Sequence, residues 1–234
     1  FTYSNAAGNP NLKPEFTNSV EFGIDLGLFD NRIVLDLTKY TQNTTDVIFS
    51  VPNSSAAGIS SVITNVGELK TEGWEVALTL VPIKTKSISW SSTINLTQFR
   101  STVEKLAPGV QNIFLAGFTT PNIRLVEGDQ YGQIYGTGYL TDAQGRMVLT
   151  ATGLPRPTAN VEKIGNPNPR YNLGISNSIS VKNFNLNVLL DIRDGGDIYS
   201  RNIADLQRNG VTAETAERDR VAPDGTVAKN YIFE

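Results

Sequence analysis

Ser19-Val20-Glu21-Phe22-Gly23-Ile24-Asp25-Leu26-Gly27-Leu28 alternates without a break: even positions are Val, Phe, Ile, Leu and Leu, odd positions Ser, Glu, Gly, Asp and Gly. Successive side chains of a strand point to opposite faces, so this is a strand with one apolar and one small or polar face. Phe29-Asp30-Asn31-Arg32 follows, and Asp and Asn tolerate the dihedrals of a tight turn. Ile33, Leu35 and Leu37 then alternate with Val34, Asp36, Thr38 and Tyr40. Together the two runs make a hairpin.

The pattern recurs twice. Trp74, Val76, Leu78 and Leu80 stand opposite Gly73, Glu75, Ala77 and Thr79, and a turn around Val81 to Lys86 leads into Ile88, Trp90, Ile94 and Leu96. In the third hairpin Tyr171, Leu173, Ile175 and Ile179 form an apolar face interrupted by Asn177. Val181-Lys182-Asn183 turns the chain into Phe184, Leu186, Val188, Leu190 and Ile192. The reading predicts six long strands, at about 19–28, 33–42, 70–80, 88–98, 171–180 and 184–193, with short turns at one end. The other end carries long segments rich in Gly, Pro, Asn and Ser, at about 43–69, 99–170 and 194–234. Such lengths signify local structure or function. In the middle segment Ile134-Tyr135, Tyr139-Leu140 and Met147-Val148-Leu149 are expected as small strands around a turn at Asp142-Ala143-Gln144-Gly145. A short helix is expected near 202–208 or 213–218.

Composition removes several classes. The 234 residues hold 20 Lys plus Arg against 23 Asp plus Glu, a net charge of −3, whereas nucleic-acid-binding domains run strongly basic. There is no Cys and no His, which excludes thiolate and imidazole catalysis, Ser-His-Asp chemistry, Cys/His zinc sites and disulfides within this chain. Apolar runs are far shorter than the roughly 20 residues of a membrane-spanning helix. Phe1-Thr2-Tyr3-Ser4-Asn5 lacks an initiating Met and the pattern of a signal peptide, so the chain is expected to be part of something longer.

Two architectures bury or use such faces. A soluble β-sandwich puts the apolar face in its core, whereas an outer-membrane β-barrel turns it to lipid and lines its lumen with the polar face. Three features point to the barrel. The strands exceed the usual five or six residues of soluble ones. Their polar faces carry few bulky apolar residues, Val34, Ala77 and Leu189 being the exceptions. Trp74 and Tyr171 at the loop ends, with Trp90 and Phe184 at the turn ends, sit where interfacial aromatics are found. Core aromatics of a sandwich would occupy the same positions.

A family resemblance bears on this choice. Gly8-Asn9-Pro10-Asn11-Leu12-Lys13-Pro14-Glu15 resembles the segment that opens a barrel strand in TonB-dependent outer-membrane receptors. Asn65-Val66-Gly67-Glu68 with Gly73-Trp74-Glu75, Gly128 with Tyr131-Gly132-Gln133-Ile134-Tyr135-Gly136, and Asp142-Ala143-Gln144-Gly145-Arg146 resemble, more narrowly, the SusC/RagA branch. So do Ile164-Gly165-Asn166-Pro167-Asn168-Pro169 and Asp191-Ile192-Arg193-Asp194-Gly195-Gly196-Asp197. The resemblance implies an all-β, antiparallel transmembrane barrel portion that helps import nutrients such as glycans or peptides across the outer membrane of Bacteroidetes-type bacteria. It implies a SusD-like surface lipoprotein and a nutrient ligand outside, membrane lipid around the wall, and TonB engaged through an N-terminal part that, with the plug, is expected to lie outside this chain. Neither enzymatic activity nor nucleic acid is expected, and no cofactor. A soluble β-sandwich that binds carbohydrate or another ligand is the alternative.

Tyr131, Tyr135 and Tyr139 are the candidate ligand-binding residues. Spaced by four in a Gly-rich stretch, they offer flat faces and hydroxyls to sugars or peptides. Packing within the long loop is the competing role. That loop is expected to fold over the outer mouth and meet the nutrient or the lipoprotein. Glu72 with Glu75, and Asp191, Asp194 and Asp197, read as solvated or lumen-lining acids, because the ligand spacing of a calcium loop is missing. No metal site is expected.

Overall fold

The computed structural model describes residues 6–52, 56, 58–150 and 155–213. The expected helix at 213–218 lies outside these from residue 214 onward. These residues form two compact units, one drawn from within 1–116, 123–133 and 166–196, the other from within 117–122, 134–165 and 197–213.

The first unit is an antiparallel sheet. Its strands are β2 (Phe16–Leu28), β3 (Ile33–Pro52), β4 (Ser61–Lys84), β5 (Ile88–Leu106), β10 (Pro169–Val181) and β11 (Phe184–Gly195), in the order β11-β10-β5-β4-β3-β2. A two-residue β1 (Ala6–Ala7) pairs parallel with the start of β4. β6 (Asn112–Gly117) and β7 (Asn122–Val126) follow β5. The turns agree with the residues that make them: Phe29, Asp30 and Asn31 all take positive φ, as does Lys182.

The strands outrun their expected ends. The segment expected as a loop at 43–69 is mostly strand, since β3 runs to Pro52 and β4 begins at Ser61. The physical reason is a bulge. Pairing slips between Thr44 and Val47, and Asp46 between them has a φ of 56°. An inserted residue exchanges the faces that alternate residues reach, so Val47, Phe49 and Val51, although of the same odd parity as Leu35 and Leu37, turn inward: Val47 is buried, and Phe49 and Val51 pack against the buried cluster. A further slip, in the β4–β5 ladder, lets Leu69 face Val103 after Glu68 has faced Lys105, and β5 likewise extends past the expected end at 98.

Register aligns the apolar residues into continuous rows. Ile24, Leu37, Val76, Leu96, Leu173 and Ile192 are successive cross-strand partners, and so are Leu26, Leu35, Leu78, Ile94, Ile175 and Leu190. Nothing covers this face among the described residues: Phe22 is 73% exposed, Ile24 54% and Leu190 52%. The buried cluster lies elsewhere, where Val66, Val103, Leu106, Ile113 and Leu125 gather around the loop ends of β4 and β5. The opposite face is polar and cross-linked by hydroxyls, Thr79 to Thr93 at 3.3 Å and Thr71 to Ser101 at 3.0 Å.

The second unit contains β8 (Gln133–Gly136) paired with β9 (Glu162–Gly165), and the helix α1 (Arg201–Arg208). Between β8 and β9 the expected small strands appear as isolated bridges, Thr141 to Met147 and Tyr139 to Pro157. Their tip is closed by Asp142, whose carboxylate accepts the backbone N–H groups of Gln144 and Arg146, each at 2.9 Å.

Candidate functional site at the loop end of the sheet

Three sets of residues define the loop end. The first is the border of the apolar face. One register step beyond the Ile24 row stand Phe22, Lys39, Trp74 and Gln98, with Tyr171 and Asp194 paired farther along the sheet. The Lys39 ammonium lies over the Trp74 ring, 4.6 Å from its centre. A cation whose aliphatic stem runs along apolar surface while its head meets an aromatic face is suited to a boundary between hydrocarbon and water. At the turn end the last apolar row holds Ile88, Val181 and Phe184. Ten residue steps separate Tyr171 from Val181 on β10. At about 3.4 Å per residue and a tilt of about 40° the band is about 26 Å high, the hydrocarbon thickness an outer-membrane barrel spans. Asn177 interrupts the band, and the Trp90 indole N–H donates to its carbonyl oxygen at 3.1 Å. The break is thereby satisfied within the sheet.

The second set joins sequence motifs that lie far apart. Asn65 accepts a hydrogen bond from Lys13 N at 2.9 Å and donates to the carbonyls of Lys13 at 2.8 Å and Asp46 at 2.6 Å. Glu15 accepts from Ile48 N at 2.6 Å. The Asn-Pro-Asn-Leu-Lys-Pro-Glu segment is thus clamped along β3 and β4, at the bulge.

The third set is a network of carboxamides. Asn166 accepts from Gln133 Nε2 at 2.9 Å and from the Asn168 backbone and side-chain nitrogens at 3.0 Å each, and donates to Gln130 at 2.6 Å. Asn168 also donates to the Tyr131 carbonyl at 2.8 Å. Gln133 is only 3% exposed, so these bonds are made where water cannot replace them. Nearby, Arg170 grips Asp194 with two hydrogen bonds of 2.8 Å, and Arg193 donates to the Pro167 carbonyl at 3.2 Å. Gly196, at a φ of 91°, leaves room for that same carbonyl. Asp194 therefore braces the turn at Gly195 and Gly196, and among the described residues no group of three or more His, Cys, Asp or Glu is placed to hold a metal ion.

A cleft of about 390 Å³ opens beside this network, lined in part by Glu72, Trp74, Gln98, Arg100, Asn168 and Arg170. It forms because β10 pairs with β5 only as far as Thr97, so Gln98 to Arg100 lie beyond the ladder. An aromatic face, two guanidinium groups and carboxamides suit it to polar ligands with hydrogen-bonding edges.

The three tyrosines occupy different environments. Tyr131 packs against the buried cluster. Tyr135 is 9% exposed, whereas Tyr139 is 43% exposed. Of the three, Tyr135 is buried, Tyr131 is half-buried and Tyr139 is exposed. Sequence alone does not single out the amides that organise the loop end, Gln130, Gln133, Asn166 and Asn168. Their motifs were visible in sequence, but nothing in the spacing reveals that 130–133 and 166–168 meet.

Against this geometry the comparisons with known proteins are decisive. The family model described as "TonB dependent receptor-like, beta-barrel" matches residues 1–188. The chain belongs to the TonB-dependent receptor family. TonB-dependent receptor P3 of Formosa agariphila is 29% identical over 89% of the chain, and TonB-dependent receptor SusC of Bacteroides thetaiotaomicron is 32% identical over 44%. The RagAB peptide transporter superposes over 89% of the chain with a TM-score of 0.72 at 22% identity, a likeness of fold. The chain covers 23% of the Formosa receptor, 10% of SusC and 24% of the RagAB chain. The chain thus spans about a quarter or less of the length of these relatives, and its sheet has the fold of a TonB-dependent receptor barrel. Among the described residues no second sheet is packed on the apolar face, as a sandwich would require.

Proposed function

We propose that the chain forms part of the wall and outer mouth of an importer in the bacterial outer membrane, which takes up nutrients such as glycans or peptides. A SusD-like surface lipoprotein would meet the mouth, and TonB would engage other parts of the longer receptor. The observation that carries this reading is the uncovered apolar band, about 26 Å high, with Trp74 and Lys39 at one border and Phe184 at the other. Nothing in this role asks for catalysis, and the relatives named above are receptors and transporters. We assign Tyr139 as the member of the tyrosine series that contacts nutrient or lipoprotein, because its ring is exposed.

Topology and uptake test it. In the intact receptor an epitope inserted at Gln144 should bind antibody on whole cells, and one inserted at Lys84 should bind only after the outer membrane is opened. Labelling of Lys84 alone would reverse the orientation. Cells carrying the receptor should accumulate fluorescent oligopeptides or oligosaccharides, and an uncoupler should stop them. Uptake indifferent to the uncoupler would sink the importer reading.

A further inference from the structure

The short turns carry a charge pattern that the wall itself does not require. Arg32, Lys84, Lys86 and Lys182 all lie at the turn end, with Asp30 the one acid beside them, in a chain whose acids outnumber its bases by 23 to 20. All four cations are exposed, and none forms an ion pair with a described residue. They stand at the end of the apolar band, where Phe184 is 82% exposed and Phe29 74%. The turns are tightly held: Val81 N donates to the Arg32 carbonyl at 2.7 Å, Lys182 N to the Ser87 carbonyl at 2.8 Å, and Thr85 N to the Ile88 carbonyl at 2.8 Å. The cations are thus displayed from a fixed collar rather than from wandering loops.

We propose that this collar binds the headgroups of anionic phospholipids in the leaflet that meets the turns, with Phe29 and Phe184 in the acyl region beneath. The inference rests on the barrel reading above. Charge complementarity selects the ligand: unpaired Lys and Arg just outside a lipid-facing band meet phosphate at headgroup depth, and an anionic headgroup adds a negative charge that a zwitterionic one cancels. The collar would fix the depth and tilt of the wall in its membrane.

The test uses the intact receptor reconstituted in phosphatidylcholine vesicles with and without phosphatidylglycerol. Spin-labelled versions of the two lipids report which one the protein surface prefers. The wild type should prefer phosphatidylglycerol, and the preference should disappear at high salt, a result that needs no variant. Each of R32Q, K84Q, K86Q and K182Q should lower it by up to about fivefold, and K105Q at the loop end should leave it unchanged. Insertion without preference, or preference that survives both salt and the four substitutions, would overturn the collar and leave the barrel standing. Failure to insert into either vesicle would overturn the barrel reading, and the collar with it.

Discussion

Gly73 lies opposite Tyr40 in the β3–β4 ladder, and the tyrosine ring fills the space that a Cβ at Gly73 would need. An aromatic ring laid over a glycine protects a strand position that has no side chain to pack. Gly73→Ala in the intact receptor should therefore cost about 1–3 kcal/mol, the usual penalty for forced overpacking. Tyr40→Ala in the same background should return part of it. Urea unfolding of the two single variants and the double variant measures the coupling, and strict additivity would show that ring and glycine do not compete for the same space. Asp142 makes a second prediction at this scale. The Arg146 backbone N–H above all, helped by the Arg146 guanidinium and the Gln144 N–H, holds its carboxyl below the usual carboxylate range in spite of the opposing effect of desolvation. A depressed carboxylate stabilises the fold above its ordinary pKa and loses that contribution as pH falls through the lower value. The Arg146 amide should accordingly stay protected from exchange at mildly acidic pH and lose protection only below the ordinary carboxylate range. Asp142→Asn should remove that transition. A transition at the ordinary carboxylate pKa would contradict the geometry.

At the scale of the element, parity decides what a substitution does. Leu78 belongs to the row of Leu35 and Ile94, on the apolar face, while its neighbour Thr79 hydrogen-bonds Thr93 on the polar one. Leu78→Arg should destabilise the intact receptor by about 2–4 kcal/mol, the range for a cation at the midplane of a barrel, and Thr79→Arg far less. The fraction that migrates as folded barrel without heating measures both, and equal losses would contradict the assigned parity. The same parity explains how Asp25 and Asp36 can be direct cross-strand partners. Like charges opposite one another are unfavourable, and a wetted, screened face reduces that repulsion.

For the whole molecule the carboxamide network matters most, because it joins the residues just before 134 to those just after 165. Asn166→Ala removes three accepted bonds and one donated bond and leaves the nearly buried Gln133 short of a partner. Unsatisfied buried amides cost about 1–3 kcal/mol each. Limited proteolysis of the intact receptor should then cut within 134–165 much faster, while the barrel stays folded by gel mobility. Unchanged cleavage would show that the insertion is held by other contacts.

Much of this wall was legible in the residues themselves. Period-two alternation placed all three hairpins, and the apolar parity of Val20 to Leu28, Trp74 to Leu80 and Phe184 to Ile192 named the face that is uncovered. Such signals are local, because a strand's two faces are written in adjacent residues. The continuation of the strand past Asp46 was not legible, since residues 38–46 hold no aliphatic residue to carry the alternation, and a bulge that turns Val47, Phe49 and Val51 to the other face leaves no mark in their parity. The meeting of Asn65 with Lys13, and of Asn166 with Gln130 and Gln133, was beyond reach for another reason. A carboxamide gives no periodic signal, and its partner is set by where the chain returns. The same holds for the tyrosines, whose spacing is in the sequence. Which ring is buried and which is exposed was decided only by the tertiary structure, which buries Tyr135, half-buries Tyr131 against the cluster around Val66 and leaves Tyr139 exposed, because burial belongs to a place in the fold and not to a residue type.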